Sequence, residues 1–188
     1  MGVSFSPDGT HLATSSTDTT AKIWDVKTGE WLLTLTGHSA GLPDIAYSPD
    51  GMKLATGSGD GTAIIWDAAT GSLLFTLRGH SSGIQSVAFN SNGTLLATGS
   101  EDNTAKLWDV ATGEEILTLP GSGGGVKGVA FSPSDDGPYL VVASADGVVR
   151  QFLLRIDDLL ALAQSRVTRS LTLEECQKYL HLAQCTQP

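Results

Sequence analysis

The sequence predicts an all-β protein built from four copies of one four-stranded antiparallel unit. The first observation is a repeat, because Trp24-Asp25, Trp66-Asp67 and Trp108-Asp109 follow one another at intervals of 42 residues. The second is that each copy contains short runs rich in β-branched and aromatic residues, which favour strands. The third is that dipeptides suited to tight turns separate these runs.

The third copy shows how the strands are derived. Its apolar runs predict strands over 86–89, 95–98, 104–108 and 115–119. Between them stand Asn92-Gly93, Asp102-Asn103 and Thr112-Gly113, and each pair contains a residue that tolerates the positive φ of a hairpin turn. We therefore expect four strands joined by hairpins in every complete copy.

Other features keep the same step of 42 residues. Gly37-His38 recurs as Gly79-His80, and Asp18, Asp60 and Asp102 share one phase. A two-residue insertion in the fourth copy moves the corresponding aspartate to Asp146. Four strands in about 42 residues are typical of one blade of a β-propeller, and such blades must stack to bury their faces. We name the repeats blades one to four, with bounds of about 1–42, 43–84, 85–126 and 127–154.

Composition and charge exclude several classes of function. The 188 residues are 40% hydrophobic and 16% charged, which is enough to build a core and argues against disorder. The net charge of −9 disfavours binding to nucleic-acid phosphates. We find no apolar stretch long enough to span a membrane and no secretory signal, so we expect a cytoplasmic protein. The two cysteines, Cys176 and Cys185, both lie near the end and predict no disulfide framework.

The repeated GH and WD dipeptides resemble those of WD40 repeats, and the resemblance covers residues 1–154. It implies one hydrogen-bonded tetrad per blade, joining a loop histidine, a strand serine or threonine, a turn aspartate and a strand tryptophan. By position, the resemblance assigns these roles to His38, Ser58, Asp60 and Trp66 in blade two; to His80, Ser100, Asp102 and Trp108 in blade three; to Ser16, Asp18 and Trp24 in blade one; and to Ser144 and Asp146 in blade four.

Two blades depart from this pattern. Blade one has no histidine at the expected phase, and blade four has Ser122 and Phe152 where histidine and tryptophan are expected. We therefore expect blade four to be incomplete, with three strands, and to be the least rigid. Blades one and four would leave open sheet surfaces, so two alternatives stand: the chain is the C-terminal part of a larger propeller, or two chains complete one ring as a homodimer.

The residues after 154 predict a helical tail over 155–188. Ile156, Leu159, Leu160, Ala163 and Val167 recur at helical spacing, and Thr172 and Glu175 form a capping box for a second helix. Residues 165–181 resemble the C-terminal tails of large bacterial WD40 signalling proteins. This resemblance implies further blades and an effector domain on the N-terminal side.

Three groups of residues resemble chemical sites, but none of them has the full pattern that its chemistry requires. His38, Ser58 and Asp60 have the residue types of a hydrolytic triad, but blade three repeats them in phase without a nucleophile elbow. The glycine-rich segments 57–61 and 121–125 do not lead into helices, which a phosphate loop requires. Cys176, His181 and Cys185 supply only three zinc ligands, which would not share one side of a helix. We expect no catalytic, cofactor or metal site.

Variable positions on the constant framework predict a binding face. The residues that open the first strands are Pro43, Gln85 and Lys127, and Thr17 and Glu101 immediately precede tetrad aspartates. The WD40 resemblance implies that partners bind at this loop face. We expect a non-enzymatic scaffold that binds a protein, a peptide or a small ligand there. The alternatives are a propeller enzyme with a site in its channel and a fragment without independent function.

Overall fold

The computed structural model describes residues 1–133 and 139–154, and all regular elements in this part of the chain are β-strands. In chain order they are β1 (Val3–Phe5), β2 (His11–Ser15), β3 (Thr20–Asp25), β4 (Trp31–Thr36), β5 (Asp44–Tyr47), β6 (Lys53–Gly57), β7 (Thr62–Asp67), β8 (Leu73–Arg78), β9 (Ile84–Phe89), β10 (Leu95–Ser100), β11 (Thr104–Asp109), β12 (Glu115–Pro120), β13 (Val126–Phe131), β14 (Tyr139–Ser144) and β15 (Val149–Leu153). They all belong to one compact unit, Met1–Leu153.

The strands form four antiparallel sheets, and each sheet corresponds to one predicted blade. The first three contain four strands in chain order, and the fourth contains β13, β14 and β15. The all-β prediction with an incomplete last blade is therefore confirmed. In blade three the strands extend as much as two residues beyond the predicted bounds, because Gly99 and Ser100 still pair with β9 although they read as turn residues. Gly93, Asn103 and Gly113 adopt the expected positive φ, at 73°, 69° and 73°.

Each blade packs one side of its sheet against the next blade. In blade one this forward side carries Ala13, Ala21 and Ile23, and it buries Leu54 and Trp66 on the back side of blade two. The same arrangement recurs one repeat later, where forward-side residues Ala55, Ala63, Ile65 and Leu77 meet back-side residues Val87, Leu96 and Trp108. The small alanines leave room for the large back-side residues. The core therefore lies between blades rather than within one of them.

Side-chain acceptors also link the first strands of consecutive blades. Val87 N–H donates to Asp44 Oδ2 at 3.0 Å, and Val129 N–H donates to Ser86 Oγ at 3.3 Å, one repeat later. Between blades one and two, Tyr47 N–H donates to Ser4 Oγ at 3.1 Å. The first strand is the edge of its sheet, so these acceptors satisfy N–H groups that no neighbouring strand can bind. No motif in the sequence distinguishes these residues.

Two glycines in the second strands permit this close stacking. A methyl group on Gly57 would lie 2.6 Å from Ile84 Cγ2, and one on Gly99 would lie 2.5 Å from Val126 Cγ1. Both neighbours belong to the first strand of the next blade. These positions therefore exclude any side chain unless the blades separate.

Several predictions fall outside the described residues. They include the helical tail over 155–188 and its resemblance over 165–181. These, and the domain boundary after residue 154, remain predictions.

We predict that Gly99→Ala destabilises the chain by about 1–3 kcal/mol, because the added methyl group overpacks the boundary between blades three and four. Gly128→Ala is the matched control, since a methyl group there meets only Ala143 Cβ at 3.9 Å. Urea denaturation of both variants measures the difference. Equal urea midpoints for the two variants would show that the blade boundary accommodates the added methyl group, and would contradict the prediction.

Candidate functional site: the loop face and the tetrads beneath it

A chain of four side chains runs from the loop face into the core of blade two. His38 Nδ1 lies 3.1 Å from Asp60 Oδ2, and His38 Nε2 lies 2.8 Å from Thr56 Oγ1. The indole N–H of Trp66 donates to the same Thr56 oxygen at 2.9 Å. The His38 side chain is 1% exposed, and Trp66 is fully buried. The network ties the loop before β5 to the turn after β6 and to β7.

Blade three repeats this network. His80 Nδ1 lies 2.8 Å from Asp102 Oδ2, and His80 Nε2 lies 2.7 Å from Thr98 Oγ1. Trp108 Nε1–H donates to Thr98 Oγ1 at 2.9 Å. The same geometry in two blades of different surface chemistry indicates a framework element, since function at a site rarely repeats in phase with the fold.

The partners of each histidine define its tautomer. A carboxylate only accepts hydrogen bonds, so we assign the ring proton of His38 to Nδ1, facing Asp60. Nε2 then accepts from the Thr56 hydroxyl, whose oxygen accepts from Trp66. If Nε2 also carried a proton, that proton would point at the Thr56 oxygen, and the Thr56 hydroxyl could no longer donate to the ring. The network is therefore complete with neutral histidine.

Burial and hydrogen bonding lower the pKa values of the tetrad histidines and aspartates, which favours neutral histidine beside ionised aspartate. Burial lowers the pKa of His38 and of His80 below the ordinary 6.5, and the facing aspartates offset this only in part. Burial by itself raises the pKa of Asp102, but hydrogen bonds from Thr104, His80 and Ser81 outweigh it and lower that pKa to about 2. The pKa of Asp60 is lowered by the same balance.

The tetrad hydroxyl predicted at Ser58 and Ser100 was assigned to the wrong residue. Trp66 is paired with Leu54 across the sheet, so Thr56 is its diagonal neighbour on the same side. Ser58 is four residues from Leu54, about 13 Å along the strand, and the indole cannot reach it. The missed signal was a threonine that keeps the phase of the repeat, at Thr14, Thr56 and Thr98.

The displaced serines have a second structural role. Ser58 Oγ donates to Ala40 O at 3.1 Å and accepts from Asp60 N–H, and Ser100 binds Ser82 O and Asp102 N–H in the same way. They hold the histidine loop against the turn that carries the aspartate. Because His38 Nε2 binds Thr56 rather than Ser58, these residues are not arranged as a hydrolytic triad.

Blades one and four contain only parts of the network. In blade one Trp24 Nε1–H donates to Thr14 Oγ1 at 2.9 Å, and Ser16 Oγ accepts from Asp18 N–H. In blade four Val142 occupies the threonine position and cannot donate.

Near the loop face of blade four, Ser122 Oγ still donates to Asp146 at 2.8 Å. Ser144 Oγ is buried and has no hydrogen-bond partner among the described residues. The tetrad of blade four therefore does not close, and the lower rigidity of this blade stays a prediction.

A continuous ridge runs over the tetrads on the loop face. A methyl group on Gly41 would lie 3.1 Å from Thr17 Cα in blade one, and the Gly41 carbonyl accepts from Gly59 N–H in blade two at 2.9 Å. The next two blade boundaries repeat this pattern. We name the resulting row of loop glycines and turn residues the loop ridge: Thr17, Gly41, Gly59, Gly83, Glu101, Gly125 and Ala145.

Three residues flank the loop ridge where the first strands begin. Gln85 and Lys127 are β-bulges, because each has no partner between paired neighbours of its strand. A bulge turns a side chain away from the regular alternation of the strand. Pro43 holds the same phase immediately before β5, where it cannot donate a ladder hydrogen bond.

The three blade boundaries differ in chemistry. Lys127 Nζ lies 3.2 Å from Glu101 Oε1, and both side chains are about half exposed, at 50% and 46%. Backbone bonds from Ile84 to Ser58 and from Leu42 to Ser16 place Gln85 beside Gly59 and Pro43 beside Thr17. The structure therefore brings the five predicted face residues onto one side of the blades. One boundary carries an ion pair, the next an amide beside a glycine, and the third a proline beside a threonine.

Two further observations apply to the described residues. They contain no group of three or more histidine, cysteine, aspartate or glutamate side chains that could hold a metal ion. They also include no helix long and apolar enough to cross a membrane.

We predict that Thr98→Val destabilises the chain by about 1–3 kcal/mol, because it leaves the buried Trp108 N–H and His80 Nε2 without partners. Thr34→Val, on the exposed side of β4, is the control for the same change of residue type. Urea denaturation compares them. Equal stability of the two variants would contradict the placement of the threonine at the centre of the tetrad.

We predict that acidification destabilises the folded chain. The folded-state pKa values of His38 and His80 lie below 6.5, so the unfolded chain binds more protons and stability falls as the pH drops through 6.5 towards the folded values. The lowered pKa values of Asp60 and Asp102 continue this loss below 3.8.

Denaturation at about pH 7.5 and about pH 5 measures the first part of this dependence. In the double variant His38→Gln, His80→Gln the difference between the two midpoints should shrink. An undiminished difference would mean that other groups control the response to acid.

Comparison with known families agrees with this geometry. Residues 1–25, 29–67, 71–109 and 113–152 match the family model described as WD domain, G-beta repeat. No curated protein matches the chain. Domains of this family are typically non-enzymatic scaffolds and generally mediate protein–protein interactions. The four matches cover most of the chain, and each includes the first three strands of one observed sheet; the chain therefore belongs to the WD40-repeat family.

Proposed function

We propose that this chain is a non-enzymatic scaffold that binds a protein or peptide on the loop ridge and its flanking residues Pro43, Gln85 and Lys127. The observation that carries the proposal is that the framework is the same from blade to blade while these positions change. In blades two and three the tetrads have the same residues and hydrogen bonds, yet Gly59 is replaced by Glu101 and Pro43 by Gln85. Residues needed only for folding would repeat with the framework.

The energetics of the ion pair support a role in binding. Lys127 and Glu101 are too exposed for their ion pair to contribute more than about 1 kcal/mol to folding. Both charges remain accessible, so a charged group of the partner can replace either Lys127 or Glu101 in the ion pair. The tetrads beneath hold the backbone of the ridge, so binding does not have to order it first.

Net charge narrows the class of partner. The sequence has a net charge of −9, and the aspartates near the ridge remain ionised because their hydrogen bonds lower the pKa values. A neutral or cationic peptide is therefore favoured over an anionic one during encounter. A small ligand on the loop face is the alternative that the sequence left open.

The proposal also covers the larger protein to which this chain would belong. The resemblance of residues 165–181 to tails of bacterial WD40 signalling proteins supports a cytoplasmic role within a larger signalling protein. A channel enzyme would need ionisable groups that break the phase of the repeat, and no described observation favours it. Closure of the ring by a homodimer is the remaining alternative.

We predict that a photo-crosslinking residue at Gln85 captures the partner in cells of the source organism, whereas one at Asn92 does not. Asn92 is exposed in the turn between β9 and β10, at the opposite end of these strands. Mass spectrometry of the crosslinked species identifies the partner. Capture from Asn92 in place of Gln85 would assign binding to the opposite face.

With the captured partner, we expect Lys127→Ala or Glu101→Ala to weaken affinity by about fivefold or more, as for a residue at the centre of an interface. The urea midpoint of each variant should stay close to that of the parent chain, since the ion pair is exposed. Unchanged affinity in both variants would remove these two residues from the binding site.

A further inference from the structure

The turn between β9 and β10 has asparagines where the same turn of blade one has a serine and an aspartate. Asn90 and Asn92 hold the phases of Ser6 and Asp8, and Asn92 is followed by Gly93. Asn92 is exposed, whereas Asn90 is only 7% exposed. An asparagine that precedes glycine is chemically prone to lose its side-chain amide, because glycine has no side chain to hinder attack by its own nitrogen.

Three donors converge on the side-chain oxygen of Asn92. Asn90 Nδ2–H donates to Asn92 Oδ1 at 2.9 Å, the Thr94 hydroxyl at 2.6 Å and Thr94 N–H at 3.1 Å. The same oxygen would carry the negative charge of a tetrahedral intermediate formed at Asn92 Cγ. Donors that already point at developing charge lower the barrier to such an intermediate. The turn therefore activates this carbonyl towards a nucleophile.

The backbone nitrogen of Gly93 is the neighbouring nucleophile, and the amide nitrogen of Asn92 is the leaving group. Gly93 N–H donates to Asn90 O at 3.1 Å, and attack must break this hydrogen bond. Asn92 Nδ2 has no hydrogen-bond partner within residues 1–133 and 139–154. The leaving group can therefore depart as ammonia without breaking a bond to the described part of the chain.

Blade one shows how the product would fit. Ser6 Oγ, Thr10 Oγ1 and Thr10 N–H donate to Asp8 Oδ1 at 2.5, 2.9 and 3.0 Å, which is the arrangement found around Asn92. Hydrogen bonds from Ser6 and Thr10 lower the pKa of Asp8 to about 2. A carboxylate in place of the Asn92 amide would accept equivalent bonds, strengthened by its charge. The folded turn therefore favours aspartate over asparagine.

We propose that Asn92 is a site of self-catalysed deamidation, in which the three donors to its side-chain oxygen direct the reaction to α-aspartate. First, Gly93 N loses its proton to solvent and bonds to Asn92 Cγ, while Nδ2 takes up a proton and leaves as ammonia. Water then adds to Cγ of the resulting cyclic imide, the bond from Cγ to Gly93 N breaks, and the nitrogen regains a proton. Asparagine and water become aspartate and ammonia, without oxidation or reduction.

The carbonyl that water attacks determines the product. Attack on the backbone carbonyl of the imide would yield isoaspartate, which adds a methylene group to the main chain. The three donors polarise the side-chain carbonyl instead. The backbone also suits α-aspartate, since φ is 73° at Gly93 and 71° and 72° at Gly9 and Gly51, which follow aspartates. The new charge would lie at the end of the strands opposite the loop ridge, so binding at the ridge does not depend on it.

The test follows the purified chain during storage in mildly alkaline buffer at body temperature. Peptide mapping locates the mass increase of about 1 Da that accompanies conversion of an amide to an acid. A protease that cleaves before aspartate but not before isoaspartate separates the products, with Asn92→Asp as the standard. We expect conversion at Asn92, mainly to α-aspartate, while Asn90 and Asn103 keep their amides.

A synthetic peptide of residues 86–100, stored in parallel, sets the time of the measurement. If half of the peptide has converted and Asn92 of the folded chain has not begun to convert, the proposal is wrong. Isoaspartate as the main product of the folded chain would also overturn it.

Two substitutions at Thr94 test the donors, and Thr94 is exposed, so both variants should fold. Thr94→Val removes the hydroxyl donor, and we expect conversion to slow by about fivefold or more, with a larger share of isoaspartate. Thr94→Ser keeps the hydroxyl and should retain the rate and the product of the parent chain. Faster conversion in Thr94→Val would show that the turn protects Asn92, and equal rates in both variants would show that the donors have no effect. Either result would overturn the proposal.

Discussion

A blade has two apolar sides, and this constraint underlies the rest of the structure. One four-stranded sheet cannot cover both sides by itself, so each blade buries its forward side against the back side of the next. The alanines on one side and the tryptophan and aliphatic residues on the other are the two halves of one interface. That interface recurs three times within the described residues, and the repetition shows which residue types each side of it requires.

The tetrads connect this core to the loop face. Trp66 and Trp108 belong to the boundaries between blades, and their indole N–H groups are the inner ends of the networks that pass through Thr56 and Thr98. The outer ends are the aspartates that bind the turns and the histidine loops. Burial between blades and the position of the loop backbone are therefore coupled, because a shift of the tryptophan would break the chain of hydrogen bonds.

This coupling separates the residues that fold the protein from those that are free to vary. The loop glycines must stay small because neighbouring backbone approaches them closely. The side chains beside them, such as Glu101 and Lys127, contribute little to stability and are held on a rigid base. A binding surface on a repeated scaffold requires this combination, since affinity then depends on a few side chains and not on ordering the backbone.

The sequence by itself determined the number of blades, the strand order and most turns. It did so because turn residues and strand periodicity are local properties that repeat every 42 residues. It also predicted His38, Asp60 and Trp66 as network members and placed the five face residues on one side of the blades.

Only the tertiary structure decided which hydroxyl completes the network. Thr56 lies in β6 and Ser58 follows two residues later, just after the strand ends, and the pairing of β6 with β7 places Thr56 beside Trp66. The roles of the acceptors Asp44 and Ser86 were likewise invisible in the sequence. Their roles depend on contacts between blades. Such contacts join residues that are far apart in the chain, so no local sequence pattern predicts them.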